Sequence, residues 1–135
     1  MKKIVLISCV SKKLPKKSKA QDLYISPLFQ YNLRYAKSLK ADKIFILSAK
    51  YGLLNLDEEI GPYDETLNEM NSNEIEKWAN SVLNELSKLS DIKNDEFIFL
   101  AGDKYRKYLI LHMNNYKIPL KGLGIGKQLK YLKEN

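Results

Sequence analysis

The segment IFILSAKYGLLNLDEEIGPYDETL, residues 44–67, joins an apolar run to an unusually polar continuation. Its first four residues are β-branched, aromatic or leucine, which is typical of a short strand buried on both faces of a sheet. Ser48, Lys50 and Tyr51 follow at once, and Pro62-Tyr63-Asp64 comes after an acidic stretch. This segment therefore predicts a buried parallel strand with chemically useful side chains in the loops beyond its carboxyl end.

Three other apolar runs along the chain are similar to the run before Ser48 in length. None alternates cleanly with polar residues, so each favours a strand covered on both faces. The predicted strands are residues 3–8, 43–48, 96–101 and 116–120.

Helical patterns separate the predicted strands. The expected helix starts are Ser26 as N-cap before Pro27, Asn73 with Glu76 as capping-box partner, Asp103 as the cap of residues 104–113, and Gly126 before a short last helix. Strands that alternate with helices predict a single α/β domain over residues 1–135. We expect three layers, in which helices flank a four-stranded, mostly parallel sheet.

Composition and length exclude several classes of protein. The chain has 135 residues, of which 44% are hydrophobic, and no apolar run approaches the ~20 residues of a membrane span. The single cysteine excludes an internal disulfide. With one cysteine and one histidine, the chain lacks the usual ligands of a structural zinc site. We expect no metal and no cofactor. The N-terminal sequence MKKIVLISCVSKK lacks a small-residue cleavage site, so it predicts the first strand of a cytoplasmic protein.

The net charge of +7 is unevenly distributed along the chain. Residues 1–50 carry 12 Lys and Arg against 2 acidic residues, a balance of +10. Residues 51–100 carry 3 against 12, or −9, and residues 101–135 carry 8 against 2, or +6. If the basic segments meet in space, they form a positive face that attracts nucleic acid or nucleotides. A general lysine enrichment of the proteome is the alternative explanation.

Polar and glycine residues follow each predicted strand. Because ligands of open α/β sheets bind beyond the carboxyl ends of the strands, these residues form the candidate site. The candidate substrate-binding residues are Ser8, Cys9, Lys12, Lys13, Ser48, Tyr51, Gly52, Tyr63, Gly102, Tyr105 and Arg106. The candidate catalytic residues are Asp64, Lys50 and Asp22.

Several candidates also have an ordinary structural explanation. Lys50 and Tyr51 offer a cation and an aromatic ring, but they can equally cover the core, and Gly52 indicates a special turn beside them. Asp64 can act as a base placed against Lys50, or it can be a turn residue. Cys9 can be a thiol nucleophile or a small buried residue.

The basic first loop has two interpretations as well. Lys12 and Lys13, with the backbone N–H groups around them, can bind an anion or can belong to a solvated loop that lacks the P-loop pattern. Tyr105 and Arg106 stand at a predicted helix start, which suits a phosphate or base contact.

Six motifs together resemble a small family of bacterial and phage domains of unknown function: ISCVSKK, DLYISPLF, ILSAKYGLL, PYDETL, AGDKYR and PLKGLGIGKQLKYL. That family is distantly similar to the YaaA stress proteins, to a domain of archaeosine synthase and, through them, to the uracil-DNA-glycosylase-like α/β group. The resemblance implies a four-stranded parallel sheet with a site at its carboxyl rim and chemistry on nucleobases. The motif residues are Ser8, Lys13, Asp22, Tyr24, Ser26, Lys50, Tyr51, Gly52, Tyr63, Asp64, Gly102, Tyr105 and Gly122. The chain lacks the glycosylase GxxPG-type loop and HPS histidine, which argues against plain uracil excision.

We therefore expect a nucleic-acid base-processing enzyme, a glycosylase-like hydrolase that cleaves or remodels an N-glycosidic or modified-base linkage. Tyr51 and Tyr63 would stack on the base, and Asp64, or alternatively Asp22, would orient water. Lys50, Lys12, Lys13 and Arg106 would hold phosphate. Two alternatives stay open: a non-catalytic nucleic-acid-binding module, and a small-nucleotide hydrolase or transferase.

Overall fold

Seven strands and five helices follow one another in the computed structural model, which describes residues 1–135. The strands are β1 (Lys3–Ser8), β2 (Ser18–Lys19), β3 (Lys43–Ser48), β4 (Gly52–Asn55), β5 (Glu59–Ile60), β6 (Glu96–Leu100) and β7 (Tyr116–Lys117). The helices are α1 (Ala20–Leu23), α2 (Pro27–Ser38), α3 (Ser72–Ser87), α4 (Asp103–Arg106) and α5 (Ile125–Glu134). Short 3₁₀ turns lie at Leu67–Glu69 and Ile110–His112.

The central sheet has the strand order β4-β3-β1-β6-β7. β1 pairs in parallel with β3 and β6, β6 pairs in parallel with β7, and β4 is antiparallel to β3. The mostly parallel α/β class is thus confirmed, but the count of four strands is wrong, because the sheet has five. The chain turns back after Ser48 and adds β4 to the edge, where the sequence pattern predicted only a loop.

Two helical layers cover the sheet. The connections from β1 to β3 and from β3 to β6 cross the sheet in opposite directions. Since such crossovers are right-handed, they place α2 and α3 on opposite faces. In agreement, α2 packs against β1 and α5, whereas α3 packs against β4. No helix has both the length and the apolar composition required to cross a membrane.

The starts of α2 and α3 differ in how well the sequence predicted them. Ser26 caps α2 by accepting a hydrogen bond from the Phe29 N–H, and Pro27 is the first helical residue, as predicted. The cap of α3 is Asn71, which forms a reciprocal capping box with Glu74. The prediction of Asn73 with Glu76 was wrong by two residues, because both Asn–Glu pairs have the same three-residue spacing.

The last third of the chain is less regular than its pattern predicts. α4 ends at Arg106 and starts after Gly102, so the expected helix over residues 104–113 capped by Asp103 is not formed. The chain tightens into 3₁₀-type bonds instead, such as Leu109 N–H to Arg106 O at 3.0 Å. β7 stops two residues before Pro119, which cannot donate a ladder hydrogen bond.

The turn between β3 and β4 depends on Gly52. Its φ is +75°, and a Cβ atom there would lie 3.0 Å from Glu85 Oε1 of α3. We expect Gly52→Ala to lower the free energy of unfolding by about 1–2 kcal/mol, because an L side chain disfavours this backbone conformation. Urea denaturation measures the change.

Gly61→Ala is the matched control. Its Cβ would meet nothing within 4 Å, and its φ is not positive, so we expect near-wild-type stability. Equal stability of the two variants would show that the β3–β4 turn does not need the glycine.

Candidate functional site

Two adjoining cavities form one cleft at the carboxyl rim, beyond β1 and β6. Their volumes are about 580 and 700 Å³. Both are lined by Cys9, Val10, Asn68 and Tyr105, so these four residues lie where the cavities meet. The two cavities are therefore neighbours, and both lie at the edge of the sheet where the fold predicts a ligand.

The first cavity, here called the apolar cavity, lies between the sheet and the starts of α2 and α5. Its hydrophobic walls include Leu28, Phe99, Ile118, Leu120 and Ile125. Its polar lining residues are Ser8, Asn32, Asn68, Asp103, Lys104, Arg106 and Gln128. Apolar walls with a few polar groups are usual for sites that bind small organic molecules.

Asn32 is the unusual residue of this cavity. Three polar side chains of the protein are buried: Asn32, Ser48 and Asp95. Asp95 accepts hydrogen bonds from the Lys2 and Asp91 N–H groups at 2.8 Å, and Ser48 is bonded as well. Asn32 is only 6% exposed, and its Oδ1 has no hydrogen-bond partner. Such a group costs about 1–3 kcal/mol, so its retention points to a ligand that pairs with it.

The second cavity, here called the acidic cavity, contains three carboxylates. Asp64 and Glu65 come from the loop before the first 3₁₀ turn, and Glu69 ends that turn. Lys13 also lines this cavity, but none of these acids forms an ion pair. No group of three or more His, Cys, Asp and Glu side chains is arranged to hold a metal ion. The carboxylates are thus available to orient water or to stabilise positive charge.

A network of buried hydroxyl groups fixes the exit of β3. The Ser48 hydroxyl donates to Tyr63 Oη at 2.8 Å, and the hydroxyls of Tyr24 and Tyr63 share a 2.6 Å hydrogen bond. The Tyr51 N–H donates to Ser48 Oγ at 3.0 Å, and Trp78 Nε1–H donates to the Ser48 carbonyl at 2.8 Å. Because Tyr63 immediately precedes Asp64, this network holds the loop that carries the catalytic candidate.

Burial also determines the protonation of the tyrosines. It raises the pKa of Tyr24, Tyr63 and Tyr105 above the ordinary value for tyrosine. Their hydroxyls therefore stay protonated at neutral pH and act as hydrogen-bonding groups. The Tyr105 hydroxyl lies 3.4 Å from Cys9 Sγ, and its ring contacts Trp78 edge-on at 5.6 Å. Tyr105 and Cys9 thus form a contact between the two cavities.

The cleft brings together eight of the residues that the sequence singled out. They are Ser8, Cys9, Lys13, Tyr63, Asp64, Gly102, Tyr105 and Arg106. Six others line neither cavity: Lys12, Asp22, Ser48, Lys50, Tyr51 and Gly52. Ser48 and Gly52 have structural positions, in the hydroxyl network and at the start of β4.

The expected pairing of Lys50 with Asp64 is absent. Lys50 Nζ lies 5.4 Å over the Tyr51 ring, and no ion pair joins it to Asp64. The turn into β4 places Lys50 and Tyr51 at the sheet edge beside β3, whereas the cleft lies beyond β1 and β6. The 37% exposed Tyr51 is therefore outside the cleft.

Tyr63 and Arg106 form contacts within the protein that their predicted roles in binding a base and a phosphate do not require. Lys13 Nζ lies 4.3 Å from the centroid of the Tyr63 ring, and Tyr51 and Tyr24 contact the same ring edge-on. This arrangement makes Tyr63 a structural residue and leaves its ring little room to stack on a base. Arg106 Nη1–H donates to the Ala101 carbonyl at 2.6 Å, which holds the guanidinium beside the end of β6.

Sequence reasoning missed several residues of the cleft and its support. They are Asn32, Glu65, Asn68, Glu69 and Trp78. A signal existed for Asn32, because it lies three residues after Phe29 and four before Ala36 and thus on the buried stripe of α2. The acidic residues had no such signal, since their loop is exposed and irregular.

Comparison with known proteins places the chain in a family. Residues 4–134 match "Family of unknown function (DUF6884)". The chain belongs to this family. It is 35% identical over 121 residues to "Uncharacterized protein YfjM" of Bacillus subtilis (strain 168), a match that covers 81% of this chain and 75% of the relative. No solved structure matches the chain significantly. The resemblance of the motifs to a small family of unknown function is thus confirmed.

The hydroxyl network should contribute measurably to stability. Tyr63→Phe removes the hydrogen-bond partner of both Ser48 and Tyr24 in a buried position. We expect the free energy of unfolding to fall by about 1–3 kcal/mol, because the partners left behind stay desolvated. Thermal or urea denaturation provides the measurement.

Tyr35→Phe is the control for this variant. Tyr35 shares a hydrogen bond with Tyr131 at 3.3 Å in a half-buried position, so water can replace the lost partner. We expect a smaller loss than for Tyr63→Phe. A wild-type stability of Tyr63→Phe would contradict the structural role of the network.

Proposed function

We propose that this protein is an enzyme that acts on a nucleobase and cleaves or remodels its N-glycosidic or modified-base linkage. One observation carries the proposal: a single cleft joins an apolar cavity that contains an unpaired buried amide to a cavity that contains three carboxylates. The first half suits recognition of a flat heterocycle, and the second suits chemistry on its linkage.

The apolar cavity has the properties of a base pocket. A nucleobase has apolar faces and a polar edge, so it needs hydrophobic walls and a few hydrogen-bonding groups. Leu28, Ile118 and Leu120 are among the walls, and the Asn32 amide can meet the polar edge. A volume of about 580 Å³ lies within the ordinary range of small-molecule sites.

The acidic cavity would supply the catalytic carboxylate. Hydrolysis breaks the bond between the sugar C1′ and the base nitrogen; the base leaves with the bonding pair and takes up a proton, while water adds to C1′. A carboxylate assists by orienting this water and by stabilising the positive charge that develops on the sugar. Asp64 is favoured because the hydroxyl network fixes the preceding residue, whereas Asp22 lies on α1 outside the cleft.

The motif resemblance gives independent support. The YaaA proteins and the uracil-DNA-glycosylase-like group imply a site at the carboxyl rim with chemistry on nucleobases. A relationship of this fold to that group is part of the proposal.

A non-catalytic nucleic-acid-binding module is the second candidate. It is favoured by the exposed cations of α2 and α5, which have no acidic partners. The two candidates differ in one respect: only an enzyme requires a carboxylate of the acidic cavity.

Asp64→Asn separates the two candidates. Purified protein is incubated with total bacterial DNA and RNA, and released bases are measured by mass spectrometry. We expect the variant to keep the fold and substrate affinity but to release base at a rate lower by about 10²-fold or more.

Glu76→Gln serves as the control, because Glu76 is an exposed acid on α3 with no hydrogen bond or ion pair. It should release base at the wild-type rate. The proposal fails if wild-type protein releases no base, or if Asp64→Asn retains full turnover.

Asn32→Leu tests the base pocket, because we expect it to keep or raise the stability of the protein while it weakens binding of the base. Replacing an unpaired buried amide with an apolar side chain of similar size should keep or raise the free energy of unfolding. The same change should weaken binding of the base by about 10-fold or more, since the edge contact is lost.

Asn80→Leu, at an exposed position of α3, should leave binding unchanged. If Asn32→Leu destabilises the protein and binding is unaffected, the amide has a structural role that the hydrogen bonds do not reveal.

A further inference from the structure

The helices α2 and α5 carry a group of unpaired cations on one face of the protein. The exposed members are Arg34 on α2 and Lys127, Lys130 and Lys133 on α5. The two ion pairs in the structure, Lys19–Asp57 and Lys117–Glu96, involve neither helix. The basic segments of the sequence thus meet in space. We call these four cations the basic row.

Two members of the basic row converge on one aromatic ring. The Arg34 guanidinium lies 4.8 Å from the centroid of the Tyr31 ring, and Lys133 Nζ lies 5.7 Å from it. Arg34 also donates to the Leu132 carbonyl at 3.0 Å, which ties α2 to the last turn of α5. Packing therefore holds two like charges close together without a neutralising acid, an arrangement that favours a bound anion.

The basic row begins at the cleft. Leu28 and Asn32 of α2 and Gln128 of α5 line the apolar cavity. One to two turns further along, Tyr35 contacts Tyr131, so the two helices run from the cleft in the same direction. Successive lysines of α5 are three residues apart, which spaces them by about 4.5 Å along the helix axis. The cations thus continue outward from the proposed base pocket.

We propose that the basic row binds the phosphate backbone of a single-stranded nucleic acid while one base of that strand occupies the apolar cavity. This inference deepens the proposed function, because it names a polymer as the substrate. A single strand is favoured, since its base can enter the cavity without breaking a pair.

The test compares two triple variants with the same net charge. Lys127→Gln, Lys130→Gln and Lys133→Gln neutralise the three lysines of the basic row, and Lys77→Gln, Lys88→Gln and Lys93→Gln neutralise lysines in and after α3 on the opposite face. Binding of a labelled, mixed-sequence single-stranded oligonucleotide is measured by fluorescence anisotropy over a range of salt concentrations. Circular dichroism verifies that both variants fold.

We expect the slope of log K against log salt to fall in magnitude by about 2 in the basic-row variant, because each lost phosphate contact removes about 0.7. The α3 variant should keep the wild-type slope. Equal effects of the two variants, or no binding by wild-type protein at low salt, would overturn the inference. A third outcome would also overturn the inference: wild-type protein binds phosphatidylserine vesicles but not the oligonucleotide, and the basic-row variant loses vesicle binding. That outcome would assign the row to a lipid surface.

Binding of the oligonucleotide is measured independently of any catalytic turnover by the protein. Protein that binds the oligonucleotide but releases no base supports the basic row and counts against the proposed enzyme. Protein that releases base from free nucleosides without binding the oligonucleotide supports the enzyme and overturns the row.

Discussion

The hydrogen-bonded contact between Ser48 and Tyr63 is the interaction on which the candidate site depends. It joins the end of a central strand to a loop fifteen residues later, at a position that water does not reach. Tyr24 extends the contact to the end of α1, and Trp78 extends it to α3. A hydrogen bond in such surroundings is costly to leave unmade. The network therefore restricts the irregular loop that carries Asp64, although that loop has little secondary structure of its own.

In this protein, folding alone does not account for every polar group of the cleft and the basic row. Elsewhere its buried polar groups are satisfied, as Asp95 illustrates with two backbone donors. Asn32 keeps an unpaired oxygen, and Arg34 and Lys133 keep unneutralised charges around one ring. The unpaired oxygen costs folding free energy, whereas the contacts of the two cations with the Tyr31 ring are favourable and still leave their charges able to attract an anion. They lie on the same pair of helices, so the single strand of the proposal would contact both of them.

Local patterns predicted much of the architecture. The apolar runs of β1, β3 and β6 identified the parallel centre, because strands covered on both faces must be continuously hydrophobic. Ser26 and Pro27 fixed the start of α2 for the same local reason. The edge strand β4 was missed, since its pairing with β3 depends on the turn at Gly52 and on the cover that α3 provides. The capping pair of α3 was misplaced because two equivalent spacings compete.

Local sequence patterns specified the class of fold and predicted the rim of the sheet as the place of a site. They also predicted eight of the residues that line the cleft, because polar residues that follow parallel strands meet at one edge. Tertiary structure alone decided which of these residues share a cavity. The turn at Gly52 leaves Lys50 and Tyr51 outside both cavities, and packing of α2 on the sheet buries the Asn32 oxygen without a partner. Such outcomes depend on contacts between residues far apart in the chain, which no local pattern specifies.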